Sequence, residues 1–386
     1  MNTQFTLGSI SLTLHRWPLA QPNHSLQAWD AADELILTQA LPILSDLTQR
    51  LATPPKVLII NDAFGALSCG LGAGSQVLMQ DSVLAQLACR YNRTQNHLDN
   101  ADITELSSLD ALPDAPDLVL LKVPQNHSYL AHILAALSQV MTQETQLVVA
   151  AKAKDITKQV LALFSHYIGP TQASLTEKKC RYIQSQWQAD ATQRDAPAAM
   201  RWPLDDSHFT LVNYANVFAR EKLDIGARLF LAHLPKVAPG SRVIDLGCGN
   251  GVLSLQLLAQ QPDCKLILTD ESYLAIASAQ ATLSENLPER LGDCQFVADD
   301  CLTQQAEHSA DWIICNPPFH QQNAVTTHVA SQMFRDAKRV LKTGGRLRIV
   351  ANRHLPYKLQ LEKLFGHCQQ LAANPKFVIL ESIKRS

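Results

Sequence analysis

Asn316 stands directly after the apolar run Trp312-Ile313-Ile314-Cys315 and directly before Pro317-Pro318-Phe319-His320. Such a run reads as the end of a buried parallel strand. The two prolines have no N–H to give a ladder and hold φ at about −65°, so they stop the strand and stiffen the corner. What this corner offers is acceptance. The Asn316 side-chain oxygen and the Pro317 backbone carbonyl are two neighbouring acceptors, and Phe319 is a ring on which a planar group can stack. A planar base carrying an exocyclic amine suits that set. The lone pair of such an amine is delocalised into its ring and attacks poorly. Accepting both N–H bonds turns the lone pair outward and stabilises the charge that builds on nitrogen. His320 is a candidate proton relay, and a hydrogen-bonded structural histidine explains it equally.

The second constellation is Asp245-Leu246-Gly247-Cys248-Gly249-Asn250-Gly251, between a strand pattern and a helix pattern. Its glycines permit a tight turn and close approach of a ligand to the backbone. The spacing is G-x-G-x-G, and Val252 stands where a dinucleotide fingerprint needs its last glycine. Asp270 ends the next strand nineteen residues beyond Gly251, where a carboxylate can accept from both ribose hydroxyls. Asp299-Asp300 ends a third strand, and either carboxylate can accept an adenine amine, with Asp299 favoured. Three acidic strand ends around this turn fit S-adenosyl-L-methionine better than a nucleotide, because an acidic lining repels pyrophosphate and the turn has no Walker lysine.

These residues need a frame that delivers strand ends to one edge. After Gly240 the pattern alternates: strand 242–246, helix 252–259, strand 265–269, helix 273–285, strands 295–298 and 311–315, helix 330–341, strand 346–351, helix 357–364 and strand 376–381. Gly344-Gly345 reads as a helix-to-strand turn. A hairpin is expected at 209–218 and a helix at 225–234. The fold class expected is α/β, a seven-stranded doubly wound sheet of Rossmann type. The first half shows the same rhythm, with short strands at 5–7 and 10–14, a helix at 31–51, and strands at 56–60, 76–79, 118–123 and 146–151. Periodicity fades over 188–203, where the linker is placed, giving domains 1–195 and 196–386.

The two halves are related. Val57–Ser68 lies without gaps over Val243–Ser254, matching Gly65 to Gly251, and Asp117–Pro124 lies over Asp311–Pro318. The apolar frame persists while the polar residues differ. Ile59, Asn61, Ala63 and Lys122 replace Asp245, Gly247, Gly249 and Asn316. The first domain therefore reads as a degenerate duplicate that has lost its site.

With 46% apolar and 18% charged residues in 386, the chain has material for two cores. No stretch is apolar enough to span a bilayer and the start lacks a signal peptide, so a cytoplasmic location is expected. The nine cysteines are scattered, with no C-x-x-C, which points to buried thiols rather than a metal or disulfide framework. The net charge of −2 hides a contrast: from Ser331 onward twelve Lys and Arg face only Asp336, Glu362 and Glu381. That is either a polyanion footprint or a set of solvated helix faces.

Assembled, the second half resembles the class I S-adenosylmethionine-dependent methyltransferases. The whole chain resembles the bacterial ribosomal RNA guanine-N2 methyltransferases. Asn316-Pro317-Pro318-Phe319-His320-Gln321-Gln322 and Ile349–Leu355 are most similar to those acting on the large subunit, on 23S ribosomal RNA. The resemblance implies Asp245, Gly247, Gly249 and Asp270 at the cofactor, Asp299 near adenine with Asp300 beside it, and Asn316, Pro317 and Phe319 at the guanine. It also implies that 218–226 lies over the cofactor. Ribosomal RNA is the implied partner; a monomer is expected, and the chemistry of these residues needs no metal. Methylation of 16S ribosomal RNA, of a protein glutamine, or RNA binding without catalysis are the alternatives. For the first domain the expectation is RNA binding, through Lys178, Lys179 and Arg181, or a structural role.

Overall fold

The structure is a computed structural model that describes residues 2–19, 26–190, 195–318 and 324–385. It falls into two compact units, Met1–Ala198 and Ala199–Ser386.

In the first unit a hairpin of β1 (Gln4–Leu7) and β2 (Ile10–Thr13) precedes α1 (Ala31–Arg50), β3 (Val57–Ile60), α2 (Ala66–Leu71), β4 (Gln76–Gln80) and α3 (Val83–Gln95). There follow β5 (Ile103–Ser107), β6 (Leu118–Lys122), α4 (His127–Val140), β7 (Gln146–Lys152), α5 (Lys158–Tyr167), β8 (Thr171–Ala173) and β9 (Cys180–Ser185). The second unit begins with a hairpin of β10 (Met200–Pro203) and β11 (Thr210–Asn213), then α6 (Ile225–Leu231), β12 (Arg242–Leu246), α7 (Val252–Gln260), β13 (Lys265–Asp270) and α8 (Tyr273–Asn286). It closes with β14 (Cys294–Ala298), β15 (Ala310–Cys315), α9 (Ala324–Val340), β16 (Leu341–Asn352), α10 (Tyr357–Phe365), β17 (Gln369–Ala373) and β18 (Phe377–Ile383).

Each unit holds one seven-stranded sheet, and the two sheets have the same topology. The orders are β5-β4-β3-β6-β7-β9-β8 and β14-β13-β12-β15-β16-β18-β17. In each the first five strands pair in parallel and the last two antiparallel. The expectation of two related seven-stranded α/β folds holds. Small devices repeat as well. Asp117 accepts the Lys56 N–H at 2.7 Å, and Asp311 accepts that of Arg242 at 2.9 Å, so the same carboxylate ties strand start to strand start in both. Gly65 and Gly251 open the first crossover helices at φ 79 and 77.

Parallel strands covered on both faces read as unbroken apolar runs. In the second unit alternate residues serve different faces: Val243, Leu268, Ile314 and Val350 belong to one core, Ile244, Leu246, Ile313 and Ile349 to the other. Asp245 interrupts this pattern from inside β12 and is 1% exposed.

Several boundaries differ from expectation. The hairpin pairs Met200–Pro203 with Thr210–Asn213, so the end of the presumed linker is a strand; Pro203 is tolerated because the strand is an edge. Gly344-Gly345 lies within β16, where the register shifts against β15 and the backbone keeps bonding to Lys384. Helix α9 begins at Ala324 and α6 stops at Leu231. Strands β5, β8, β9 and β17 were not legible; β17 is largely solvent-facing.

The basic balance of the last residues is mostly absorbed within the unit. Arg346 and Arg348 share Glu381, Lys342 pairs with Asp311, Lys338 and Arg339 donate to backbone carbonyls, and Lys384 is 5% exposed. Arg335, Lys363 and Lys376 stay exposed and outside ion pairs among the described residues.

Candidate functional site

The carboxyl ends of β12, β13, β14 and β15 bring together every described candidate. Gly247, Gly249 and Gly251 all have positive φ (75, 53 and 77), which L side chains rarely adopt. Gly247 and Cys248 both donate to the Thr269 carbonyl, at 2.8 and 2.9 Å, pinning the loop to β13. At Gly251 an added Cβ would meet the Ala279 backbone on α8 at 3.1 Å, whereas at Gly249 nothing lies within 4 Å. One glycine therefore serves packing, and the other leaves room for a ligand.

The Asp270 carboxylate accepts from Gly249 N at 3.0 Å and from Ser272 N at 3.0 Å. It is half-buried and fixes the loop from the neighbouring strand. Asp245 accepts from the Ser254 hydroxyl at 2.7 Å through Oδ2, while its Oδ1 is buried with no partner among the described residues. Burial raises its pKa to about 7, the Ser254 hydrogen bond opposing the rise and the Asp270 charge adding to it. A buried acid oxygen left without a partner is rare and needs an explanation.

Asp299 and Asp300 lie where the sequence places them, with different surroundings. Asp299, 1% exposed, takes the Thr303 hydroxyl at 2.6 Å and the Gln304 N–H at 3.0 Å, one on each oxygen. It organises the loop after β14. Asp300 takes the Gln332 amide at 2.8 Å from α9.

Asn316 follows β15, and its Oδ1 is buried with no partner among the described residues. Its Nδ2 reaches Asp224 Oδ2 at 3.4 Å, an oxygen that also caps α6 through Ala227 N at 3.0 Å. Pro317 is buried, and the Pro318 carbonyl is held by the Tyr357 hydroxyl at 3.0 Å from α10. Among the described residues nothing donates to the Pro317 carbonyl. Phe319 and His320 lie outside the described residues.

Tyr357 and Asn213 escaped the sequence reading, and Asp224 entered it only within the segment 218–226. Asn213 takes the Asn250 amide at 2.9 Å and so anchors the glycine turn to β11. The 218–226 segment was expected over the cofactor, and its Asp224 stands in capping position ahead of a helical run. Nothing local marked Tyr357 or Asn213, whose contacts span 39 and 37 residues of chain.

In the first unit the same strand ends carry a different arrangement. Asn61 takes the positive φ of 64 that Gly247 has in the second, and its side chain donates to the Lys122 carbonyl at 2.8 Å. Lys122, in the place of Asn316, pairs with Asp33 at 2.7 Å and Asp30 at 3.1 Å. Gln80, in the place of Asp270, donates to the Asp62 carbonyl at 2.8 Å. The polar groups at these strand ends are thus satisfied by one another within the first unit.

Residues 2–189 match the family model described as the RLMG N-terminal domain, and residues 208–381 the model of the methyltransferase small domain. The ribosomal RNA large subunit methyltransferase G of Yersinia pseudotuberculosis is 44% identical over 384 residues, 100% of this chain and 95% of that protein. Its namesake in Pectobacterium atrosepticum is 44% identical over 382 residues, 99% of this chain and 98% of that one. Among solved structures, the T. thermophilus 16S rRNA N2 methyltransferase RsmC, in complex with AdoMet and guanosine, has the same fold. Its TM-score is 0.74 at 22% identity, over 99% of this chain and 98% of that one. By its full-length identity to these relatives, the chain belongs to the ribosomal RNA large subunit methyltransferase G family.

Proposed function

We propose that the second unit transfers a methyl group from S-adenosyl-L-methionine to the exocyclic N2 amine of a guanine in 23S ribosomal RNA. The single observation that carries the reading is the buried, unpartnered Oδ1 of Asn316 beside the Pro317 carbonyl, at the strand end next to a glycine turn. An isolated buried acceptor costs about 1–3 kcal/mol, which an incoming N–H relieves.

The residues fit the cofactor. Gly249 presents open backbone, Asp245 has an oxygen without a partner among the described residues for a donor such as an ammonium or hydroxyl, and Asp270 at the end of β13, whose oxygens each take one backbone N–H, has a second lone pair on each for a ribose hydroxyl. Asp299, with both oxygens taken inside its loop, acts at adenine by shaping the pocket, and Asp300 stands beside it. When bound, S-adenosyl-L-methionine supplies a methyl group on an electron-poor sulfur. Asn316 Oδ1 and Pro317 O then accept the two N–H bonds of the guanine amine. They direct its lone pair out of the base plane and stabilise the positive charge that grows on nitrogen. As the N–C bond formed, the S–C bond would break, S-adenosylhomocysteine would leave as a neutral thioether, and the surplus proton on nitrogen would pass to solvent. Phe319 supplies a stacking face for a base taken out of its helix or from a loop. The rest of the acceleration is alignment of amine and methyl group.

The first unit, 1–195 in the sequence reading, contributes RNA contacts without catalysis. Its support is a cavity of about 560 Å³ lined by Lys152, Lys154, Lys178 and Lys179. RNA as substrate also supports a cytoplasmic place of work.

Methyl-labelled cofactor incubated with ribosomal RNA from cells lacking the gene should label 23S RNA at guanine N2. Label in 16S RNA or in protein instead would redirect the assignment. Asn316→Ala should lower the rate by roughly 10²-fold while cofactor affinity holds, as for loss of one donor or acceptor at a charge-developing atom. An unchanged rate would remove Asn316 from the chemistry.

A further inference from the structure

The Asn316 amide has two orientations of nearly equal shape and opposite function. Only the one with Oδ1 toward the base accepts an amine; the other presents Nδ2 and repels it. We infer that Asp224 is a positioning residue that selects the accepting orientation of Asn316. The inference rests on the function proposed above.

Three observations carry it. Asp224 Oδ2 lies 3.4 Å from Asn316 Nδ2, and a carboxylate has only acceptors to offer, so it favours the amino end of the amide and turns Oδ1 away. That Oδ1 is buried with no other partner among the described residues, so none of their contacts competes for it. Asp224 is itself held, because the same Oδ2 takes the Ala227 N–H at 3.0 Å as the cap of α6.

The first unit shows that this juxtaposition belongs to the fold. There Asp30 caps α1 through Ala32 N at 3.0 Å, and its carboxylate lies 3.1 Å from the Lys122 ammonium, the residue in the place of Asn316. A helix cap thus faces the strand-end residue in both copies, and in the second unit that residue is the amide on which the reaction turns. The 218–226 segment thereby gains a defined role, since its last carboxylate holds the accepting atom in line.

Capping alone cannot mimic this effect, because Asp, Asn and Ser cap helices about equally well. A serine at this position would be too short to reach Asn316, and an asparagine offers either end of its own amide. The test compares Asp224→Ser and Asp224→Asn with wild type in the full chain, measuring kcat, KM for RNA, cofactor affinity by calorimetry, and Tm. The expected result is a kcat lower by roughly tenfold for Asp224→Ser and by less for Asp224→Asn, the scale of one charge-assisted hydrogen bond. Cofactor affinity and Tm should stay at wild-type values. Equal kcat for all three proteins would reduce Asp224 to a cap, and so would a kcat loss that tracks Tm. If Asn316→Ala is impaired while Asp224→Ser is not, only this inference fails. If Asn316→Ala is unimpaired, the parent reading fails first.

Discussion

Asp245 is the residue whose energetics are most exposed to measurement. Its folded-state pKa of about 7 stands above the ordinary 3.8, with burial as the main cause. Between those two values the folded protein keeps a proton that the unfolded chain has released, so the unfolded state binds fewer protons and stability falls as pH rises. Three units of separation correspond to roughly 4 kcal/mol across the window. Asp62 in the first unit, raised to about 6 by burial and then by Asp33, works in the same direction. Without cofactor, the second unit should therefore lose thermal stability between about pH 4 and pH 7. Asp245→Asn should flatten that decline while weakening cofactor binding. A pH profile of Asp245→Asn identical to wild type would show that Asp245 is ionised in the fold throughout this interval. The sequence revealed that Asp245 interrupts an apolar strand. It could not reveal that one of its oxygens is bound to Ser254 and the other to nothing, because that depends on how β12 meets α7.

At the scale of elements, the strand, glycine turn and helix of the first crossover were legible in both halves. Burial on two faces forces an unbroken apolar run, and a left-handed backbone forces glycine. Polar edge strands such as β17 carried no comparable signal, since nothing covers one of their faces. The shared crossover gives a paired prediction. Gly65 and Gly251 have nearly the same φ, and a Cβ would meet Cys89 Cα at 2.8 Å in one and Ala279 Cα at 3.1 Å in the other. Gly65→Ala and Gly251→Ala should each destabilise their own unit by about 1–3 kcal/mol, seen as a lower denaturant midpoint. Only Gly251→Ala should also lower cofactor affinity. If Gly65→Ala weakened cofactor binding as strongly, the assignment of the cofactor to the second unit would be wrong. Roles around Asp299 were less legible than its position: the doublet marked a strand end correctly, but only folding showed its oxygens taken by Thr303 and Gln304.

For the molecule as a whole, RNA affinity depends on which cations are available to phosphates, and composition alone misleads here. The basic excess after Ser331 is largely bound to Glu381, Asp311 and backbone carbonyls. The first unit has a net acidic sequence yet presents lysines around one cavity. Of these, Lys152 and Lys178 are paired with Asp30 and Glu34, whereas among the described residues Lys154 and Lys179 are in no ion pair. Both are exposed, and each can release one condensed counterion when it meets a phosphate. Replacing Lys154 and Lys179 together by alanine should weaken RNA binding at low salt. It should also make the slope of log K against log salt shallower by about 1.4, at roughly 0.7 for each contact to a single strand. Methyl transfer at saturating RNA should be unaltered, because neither lysine belongs to the unit that carries Asn316. An unchanged slope would mean that the first unit supports the second without touching RNA through this cavity, and Arg335, Lys363 and Lys376, exposed in the second unit and outside its ion pairs among the described residues, would become the phosphate contacts to examine.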